Sequence, residues 1–254
     1  GVYLEGTGGT DIAKLTSTSP VLNFKQSGTE GNGIIGLYLK GSTDISAYNR
    51  GITVGDTVFG KYAMGFYAEG QGTSTNKYKI NTNITAGKKS VGIFADKDSS
   101  NNKSYIEYKG TMTLGEGATG FYVNGEMQLD KNTEAAATIN LAGGVVAYVT
   151  ESSEFVAGKT TVNLSKSAIG VYGERGAQVD VGSWTFNNNG NAAEEVRLKE
   201  GQAKVTTNKN LKPKMVLTHV INGETYLAAN KTVTSVHDGK YKSEENIGLM
   251  AQGL

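Results

Sequence analysis

The chain has 254 residues with 25 basic and 24 acidic side chains, and it lacks the basic block that marks a nucleic-acid surface. It contains no cysteine, which excludes disulfides and thiolate metal sites. We find no signal peptide and no apolar run near the roughly 18 residues of a membrane-spanning helix, so we expect no membrane insertion by this segment.

A short phrase made of an apolar residue, a glycine, an apolar residue and an aromatic residue recurs along the chain. Its copies are spaced by about 23 to 35 residues, within the interval of about 20 to 50 residues that is typical of repeat architectures. A cut-off copy, Gly1-Val2-Tyr3, opens the chain, and full copies centre on Gly36, Gly65, Gly92, Gly120, Ala147, Gly170 and Gly248. Because the chain begins inside one copy and stops just after another, we expect it to be a window of a longer array.

Alternate residues of each copy are apolar, which predicts a strand with one buried face. We place the residues one before, one after and three after the glycine inside, and the glycine, the aromatic ring and a following polar residue outside. Eight and six residues before the glycine lies a second alternating strand, for example Met112 and Leu114. Short strands that stack on their own copies predict an all-β fold, a right-handed parallel β-helix.

Residues 1–186 follow this pattern as regular coils, and residues 244–254 return to it. The interval of 78 residues between Gly170 and Gly248 contains residues 187–243, which are either an insertion or degenerate coils. We favour an inserted element with β-hairpins, because Asn222-Gly223 joins two alternating runs and Asp238-Gly239 marks a possible second turn. Residues 192–200 have a composition that favours helix.

The chemical motifs in the sequence do not predict an enzyme. Residues 115–120 match the dinucleotide-binding pattern of glycines, but a strand of the repeat follows where that site needs a helix. His219 and His237 have no partner at metal-ligand spacing. Glu151 and Glu174 are acids on successive outward turns, which we interpret as solvated surface. We therefore expect no catalytic residue, no metal and no cofactor.

The outward aromatic residues form a predicted column with two interpretations. Each ring can cover the bare glycine of a neighbouring coil, or the rings together can form an exposed platform for sugars or protein side chains. The regularity of the column favours the structural interpretation. Its members are Tyr3, Tyr38, Tyr67, Phe94, Tyr122 and Tyr172.

The chain resembles the passenger domains of large fusobacterial type V autotransporter adhesins, the RadD-like family. The resemblance rests on the repeated phrase with its preceding strand and on residues 184–190, 217–223 and 246–251. It implies a β-helical stalk on the outer membrane of a bacterium, displayed extracellularly, whose partners are a host receptor or glycan or other bacteria.

From the resemblance we expect a non-enzymatic segment of a surface adhesin. The alternatives are a pure stalk, a self-association module and, as the least favoured, a polysaccharide lyase or hydrolase. Trp184, His219, Tyr226 and His237 are large residues in or beside the interrupted part of the array, and they are our predicted contact residues. The competing interpretation is that this element only caps and covers the rod.

Overall fold

The protein is described by a computed structural model. It describes residues 1–7, 10–16, 21–25, 33–57, 62–70, 75, 77–131, 137–174, 176–188, 194–199, 203–207, 218–221, 225–229 and 249–252. Within these residues the regular structure is β-strand, and none of them forms an α-helix. This part of the chain therefore also lacks any helix that could cross a membrane.

The strands are short and recur in a fixed order. They are β1 (Val2–Gly6), β2 (Ala13–Lys14), β3 (Leu22–Phe24), β4 (Ile34–Gly41), β5 (Thr43–Asp44), β6 (Ile52–Val54), β7 (Ala63–Glu69), β8 (Tyr78–Ile80), β9 (Ile84–Ala86), β10 (Val91–Asp96), β11 (Ser104–Tyr108), β12 (Thr111–Leu114), β13 (Ala118–Asn124), β14 (Glu126–Leu129), β15 (Ala137–Val149), β16 (Glu154–Val156), β17 (Thr160–Gly173), β18 (Gln178–Asp180), β19 (Trp184–Asn188), β20 (Glu194–Lys199), β21 (Ala203–Thr207), β22 (Thr218–Ile221), β23 (Thr225–Ala229) and β24 (Leu249–Gln252).

Each coil passes along three walls, and every wall is a stack of parallel strands. The first wall contains β1, β4, β7, β10, β13, the later parts of β15 and β17, and then β20, β22 and β24. The second wall contains β3, β6, β9, β12, the earlier parts of β15 and β17, and β19. The third wall runs from β8 through β11, β14, β16, β18 and β21 to β23. The predicted all-β parallel β-helix is confirmed.

Long strands join the first two walls into one 15-stranded sheet. β15 and β17 run through both walls, and their pairing shifts register between Ala142 and Gly144, where the chain turns the corner. Gly143 and Gly144 have φ values of 73° and 124°. Side chains with a Cβ rarely adopt such values, so glycine permits a continuous strand to bend here.

The inward side chains of the three walls form one continuous apolar core. Phe66 and Phe121 on the first wall, Met112 on the second and Phe155 on the third are almost completely buried. Burial of apolar surface is the dominant stabilising contribution to folding, and one coil cannot supply it alone. The second-wall residues predicted to face inward, such as Ile84 and Leu164, are part of this core.

The glycine of the repeated phrase faces inward, so its predicted outward position is wrong. A Cβ on Gly92 would lie 2.8 Å from the carbonyl oxygen of Gly120 and 2.8 Å from the sulfur of Met112 on the second wall. In one coil Val146 takes this place and is completely buried. The preceding residue, for example Met64, is only half-buried instead. The glycine and the next residue, for example Gly65 and Phe66, are both buried, so the chain bends here and the strict alternation is interrupted at this one step.

The described strands between residues 187 and 243 extend the two sheets in parallel. β20, in the stretch whose composition favours helix, pairs with β17 and β22, because stacking on an existing wall outweighs weak intrinsic propensity. β22 pairs with β20 and β24, whereas β23 pairs with β21 on the third wall. The hairpin predicted at Asn222-Gly223 is therefore wrong. This arrangement is that of degenerate coils. The possible hairpin at Asp238-Gly239 lies outside the described residues.

Candidate functional site

An aromatic column runs along the outside of the first wall. The strands are in parallel register, so each ring lies directly beside the equivalent ring of the next coil. Neighbouring centroids are 4.7 to 5.2 Å apart, and the rings are stacked within 24° of parallel from Tyr38 to Tyr172. We call this set the aromatic column: Tyr3, Tyr38, Tyr67, Phe94, Tyr122, Tyr148 and Tyr172.

Tyr148 is a member of the column that the sequence prediction missed. We aligned this copy on Ala147 as the small residue, but the structure pairs Phe121 with Ala147 and Tyr122 with Tyr148. Val146 therefore takes the glycine position, and the predicted alignment was shifted by one residue. Aligning the copies on tyrosine rather than on the small residue finds Tyr148 from the sequence alone.

Stacking covers both faces of every ring inside the column. A sugar platform needs an open ring face, because the apolar face of the sugar packs against it. Only Tyr3, at the end of the described stack, is largely accessible, with 56% of its surface exposed. The inner rings present edges and hydroxyl groups to solvent. This geometry favours a structural role, but the expected mechanism is wrong: the glycines face inward, so the rings do not cover them. The rings instead stack on one another, which contributes about 0.5 to 1.5 kcal/mol per pair.

Carboxylates of the next coil accept hydrogen bonds from three tyrosines of the column. The Tyr38 hydroxyl donates to Glu69 Oε2 at 2.8 Å. Tyr67 donates to Asp96 in the same manner, and Tyr148 donates to Glu174. Partial burial, followed by the hydrogen bond to Glu69, raises the pKa of Tyr38 well above its usual value. The phenol is therefore neutral at physiological pH and does not act as a base.

The polar residues beside the column are bonded along the rod axis. Lys40 forms an ion pair with Glu5 at 3.1 Å, and the side-chain amide of Asn124 donates to Asp96 at 2.9 Å. These charges and amides satisfy one another, which is a stabilising arrangement rather than an open binding surface.

Glu151 does not lie in the same polar column as Glu174, although the sequence predicted that it does. The neighbouring position is Thr150, whose hydroxyl donates to the side-chain oxygen of Asn124 at 3.4 Å. The backbone N–H of Glu151 instead donates to the Glu174 carboxylate at 2.9 Å. The same shift of one residue that hid Tyr148 caused this misplacement.

The three predicted contact residues that the structure describes lie on strands of three different walls. Trp184 is 1% exposed, and its ring packs edge-on against Phe155 and Phe186 at 5.5 Å. A side chain buried in the core cannot contact a partner, so this part of the prediction is wrong. His219 lies in β22 on the first wall, and Tyr226 lies in β23 on the third wall. His237 is outside the described residues.

His219 occupies the backbone register of the aromatic column. Tyr172 pairs with Arg197, Arg197 with His219, and His219 with Met250. After Tyr172 the column position therefore holds Arg197, His219 and Met250 in place of tyrosine or phenylalanine. The sequence could have shown this change if the copies within residues 187–243 had been aligned.

A cluster of lysines and carboxylates lies on the third wall. Lys77 contacts both Glu107, at 3.1 Å, and Asp130, and Lys109 contacts Glu107 at 2.6 Å. Burial raises the pKa of Glu107, but the hydrogen bonds from Lys109 and Lys77 outweigh this effect and hold it below the usual value. Glu107 therefore stays ionised and is unsuited to act as a general acid near neutral pH.

Within the described ranges, no group of three or more histidine, cysteine or acidic side chains has the arrangement of a metal site. Fold and surface together define the chain as a parallel β-solenoid with an aromatic column along one wall. No protein-family model, no curated protein and no solved structure matches the chain.

Proposed function

We propose that the chain is a rod-forming segment of a bacterial surface adhesin, displayed outside the outer membrane. The segment supports attachment to host cells or to other bacteria through a protein or glycan partner. It performs no catalysis. The alternative within the same class is a pure stalk or a self-association module, which spaces or pairs cells without binding a receptor.

The observation that carries this proposal is the uninterrupted parallel register of the first wall. Tyr38, Tyr67 and Phe94 stack in consecutive coils, and the strands beneath them are hydrogen-bonded coil to coil. Each coil adds about 4.8 Å to the length. A core and an aromatic column that both run along the axis resist bending, and a spacer that projects a contact away from a cell needs this property.

The charged surface is consistent with scaffolding. Of the acids on successive outward turns, Glu151 donates a hydrogen bond from its backbone N–H to the Glu174 carboxylate. On the third wall, Lys77 bridges Glu107 and Asp130. Glycoside hydrolysis needs one carboxyl that can hold a proton and another that is free to attack or to activate water. Glu107 and Asp130 are ion-paired with Lys77 and do not meet this requirement. The Glu174 carboxylate already accepts hydrogen bonds from Tyr148 and from the Glu151 backbone.

The proposal is tested by location and by binding. Antibodies raised against the purified chain should label intact, unpermeabilised cells of the organism that produces it. The folded chain should also bind host cells or partner bacteria in a saturable manner, and the heat-unfolded chain should not. Labelling that requires permeabilised cells would overturn the proposal. Labelling of intact cells without binding by the chain would favour the pure stalk.

Two alternative functions, self-association and enzymatic activity, are tested by separate measurements. Sedimentation of the purified chain over a wide concentration range should show a monomer, and a reversible dimer would favour the self-association module. Incubation with a panel of polysaccharides should release neither reducing ends nor unsaturated products. Release of either product would replace the adhesin assignment with a lyase or hydrolase.

A further inference from the structure

The third side of the rod is interrupted near its first coils. β5 pairs with β2 in a separate two-stranded sheet, and the seven-stranded third wall begins only at β8. No backbone hydrogen bond joins β5 to β8 in the residues that the structure describes. The hydroxyl oxygen of Thr43 in β5 is buried there, and it finds no hydrogen-bond partner within that described part. Within the described residues, the third wall therefore lacks regular strand pairing between β5 and β8.

A cleft of about 280 Å³ opens at the break. Ligand pockets usually measure about 300 to 1,000 Å³, so the cleft suits one small ring rather than a long chain. Residues with hydroxyl groups and one aspartate line the β5 side, two lysines line the β8 side, and one isoleucine completes the lining. These lining residues are Ser42, Thr43, Asp44, Ser46, Thr75, Lys77, Lys79 and Ile12.

Of the two lysines that line the cleft, Lys79 is the one without a direct ion pair. Lys77 already contacts Glu107 and Asp130. Glu107, which pairs in register with Lys79, is held by Lys77 and by Lys109. Lys79 is exposed, and its ammonium group makes no direct ion pair with any residue in the described ranges. Its positive charge does act on Asp44: hydrogen bonds from Ser46 lower the pKa of that carboxyl, and the charges of Lys14 and Lys79 lower it further. The Lys79 ammonium group can still pair with one negative charge of a ligand.

Asp44 limits the charge of that ligand. Its carboxylate accepts hydrogen bonds from the backbone N–H of Ser46, at 3.1 Å, and from the Ser46 hydroxyl, at 2.6 Å. A second negative group close to Asp44 would be repelled, whereas a ligand hydroxyl could donate to its remaining lone pairs. A ligand with one carboxylate and several hydroxyl groups satisfies both sides of the cleft. Ile12, 42% exposed, offers an apolar surface to the carbon face of a ring.

We propose that this cleft binds a single acidic sugar residue, a uronate or a sialate. The carboxylate of the sugar pairs with Lys79, and its hydroxyl groups bond to Asp44 and to the serine hydroxyls. This assignment names a ligand for the attachment function proposed above, and only its biological meaning rests on that function. In this proposal the sugar binds at the cleft between β5 and β8, where the third wall is interrupted, and the aromatic column has only a structural role.

Direct binding of free sugars to the purified chain tests the proposal. Glucuronate, galacturonate and N-acetylneuraminate are titrated separately, with glucose and acetate as controls, and binding is followed by calorimetry and by NMR. We expect saturable binding of at least one acidic sugar, with glucose and acetate at least about tenfold weaker. The three acidic sugars distinguish a uronate ligand from a sialate ligand.

Variants at one lysine separate recognition from folding. Lys79→Met should weaken binding about tenfold or more, because a hydrogen-bonded charge is lost. Lys79→Arg should retain most of the binding. Lys159→Met, at another exposed lysine, is the matched control and should bind as the parent chain does. All three variants should keep the β-sheet spectrum and the unfolding midpoint of the parent.

Four results would overturn the proposal. They are the absence of saturable binding, equal affinity for glucose, equal affinity for acetate, which would indicate a general anion site, and full binding by Lys79→Met. None of these results changes the conclusion of the surface-labelling experiment, which tests the adhesin assignment separately. A chain that is displayed on intact cells but binds no acidic sugar would leave the adhesin assignment in place and remove only the cleft as its site.

Discussion

Replacing Tyr122 by alanine tests whether the aromatic column stabilises the rod. Its ring stacks on Phe94 at 4.7 Å and 14° and on Tyr148 at 5.2 Å and 6°. At about 0.5 to 1.5 kcal/mol per aromatic pair, losing both contacts removes about 1 to 3 kcal/mol of stability. The loss of the partly buried ring adds to this. Tyr122→Ala should therefore be clearly less stable than the parent chain.

The matched control for this variant is Tyr122→Phe. The Tyr122 hydroxyl makes no hydrogen bond to any residue in the described ranges, so phenylalanine should change the free energy of unfolding by less than about 0.5 kcal/mol. Urea unfolding gives the global change. Hydrogen exchange of the amides in β10, β13 and β15 gives the local one, because solenoid stability depends on neighbouring coils. Equal stability of the two variants would refute the argument that stacking stabilises the rod.

Two further predictions concern the core and the charged cluster. Gly92→Ala should destabilise the chain by about 1 to 3 kcal/mol, because the added Cβ meets backbone at 2.8 Å. Gly55→Ala, whose Cβ would meet atoms only at ordinary contact distances from 3.4 Å, should be neutral or slightly stabilising in the same urea titration; the opposite order would contradict the inward glycine. The pKa of Glu107 is lower in the folded chain than its usual value of about 4.3, so its ion pairs with Lys77 and Lys109 stabilise the fold above that pH. This contribution should disappear as the pH falls below about 4.3 through the folded pKa. In Glu107→Gln that part of the acid sensitivity should be absent, and an unchanged pH profile of unfolding would contradict the cluster's role.

The register of the aromatic column could be predicted from the sequence almost completely. The interval between copies places Tyr38, Tyr67 and Phe94 on consecutive coils, since parallel strands of equal pattern align like residues. One copy, with Ala147, was misaligned because its glycine position holds valine. A single shift of one residue moved both Tyr148 and Glu151 to the wrong positions, since neighbouring residues of a strand face opposite sides.

The inward orientation of the glycine could not be predicted from alternation alone. A strict period of two places Gly92 outside, but the wall bends there and brings it against Met112. Trp184 was misjudged for a related reason. A solitary large residue near an interrupted repeat is equally suited to a surface and to a core, and only its contacts with Phe155 and Phe186 decide between them.

The class of fold could be predicted from the sequence, because alternation within each copy and a regular interval between copies are satisfied together by stacked parallel coils. Only the tertiary structure decided which charges meet. Lys77 and Asp130 are 53 positions apart and belong to different coils. The missing pairing between β5 and β8 could not be predicted from the sequence either. Backbone pairing depends on the path of both coils and not on the composition of either strand. The stacked column and the cleft at this break are properties of neighbouring coils, and no single stretch of sequence contains them.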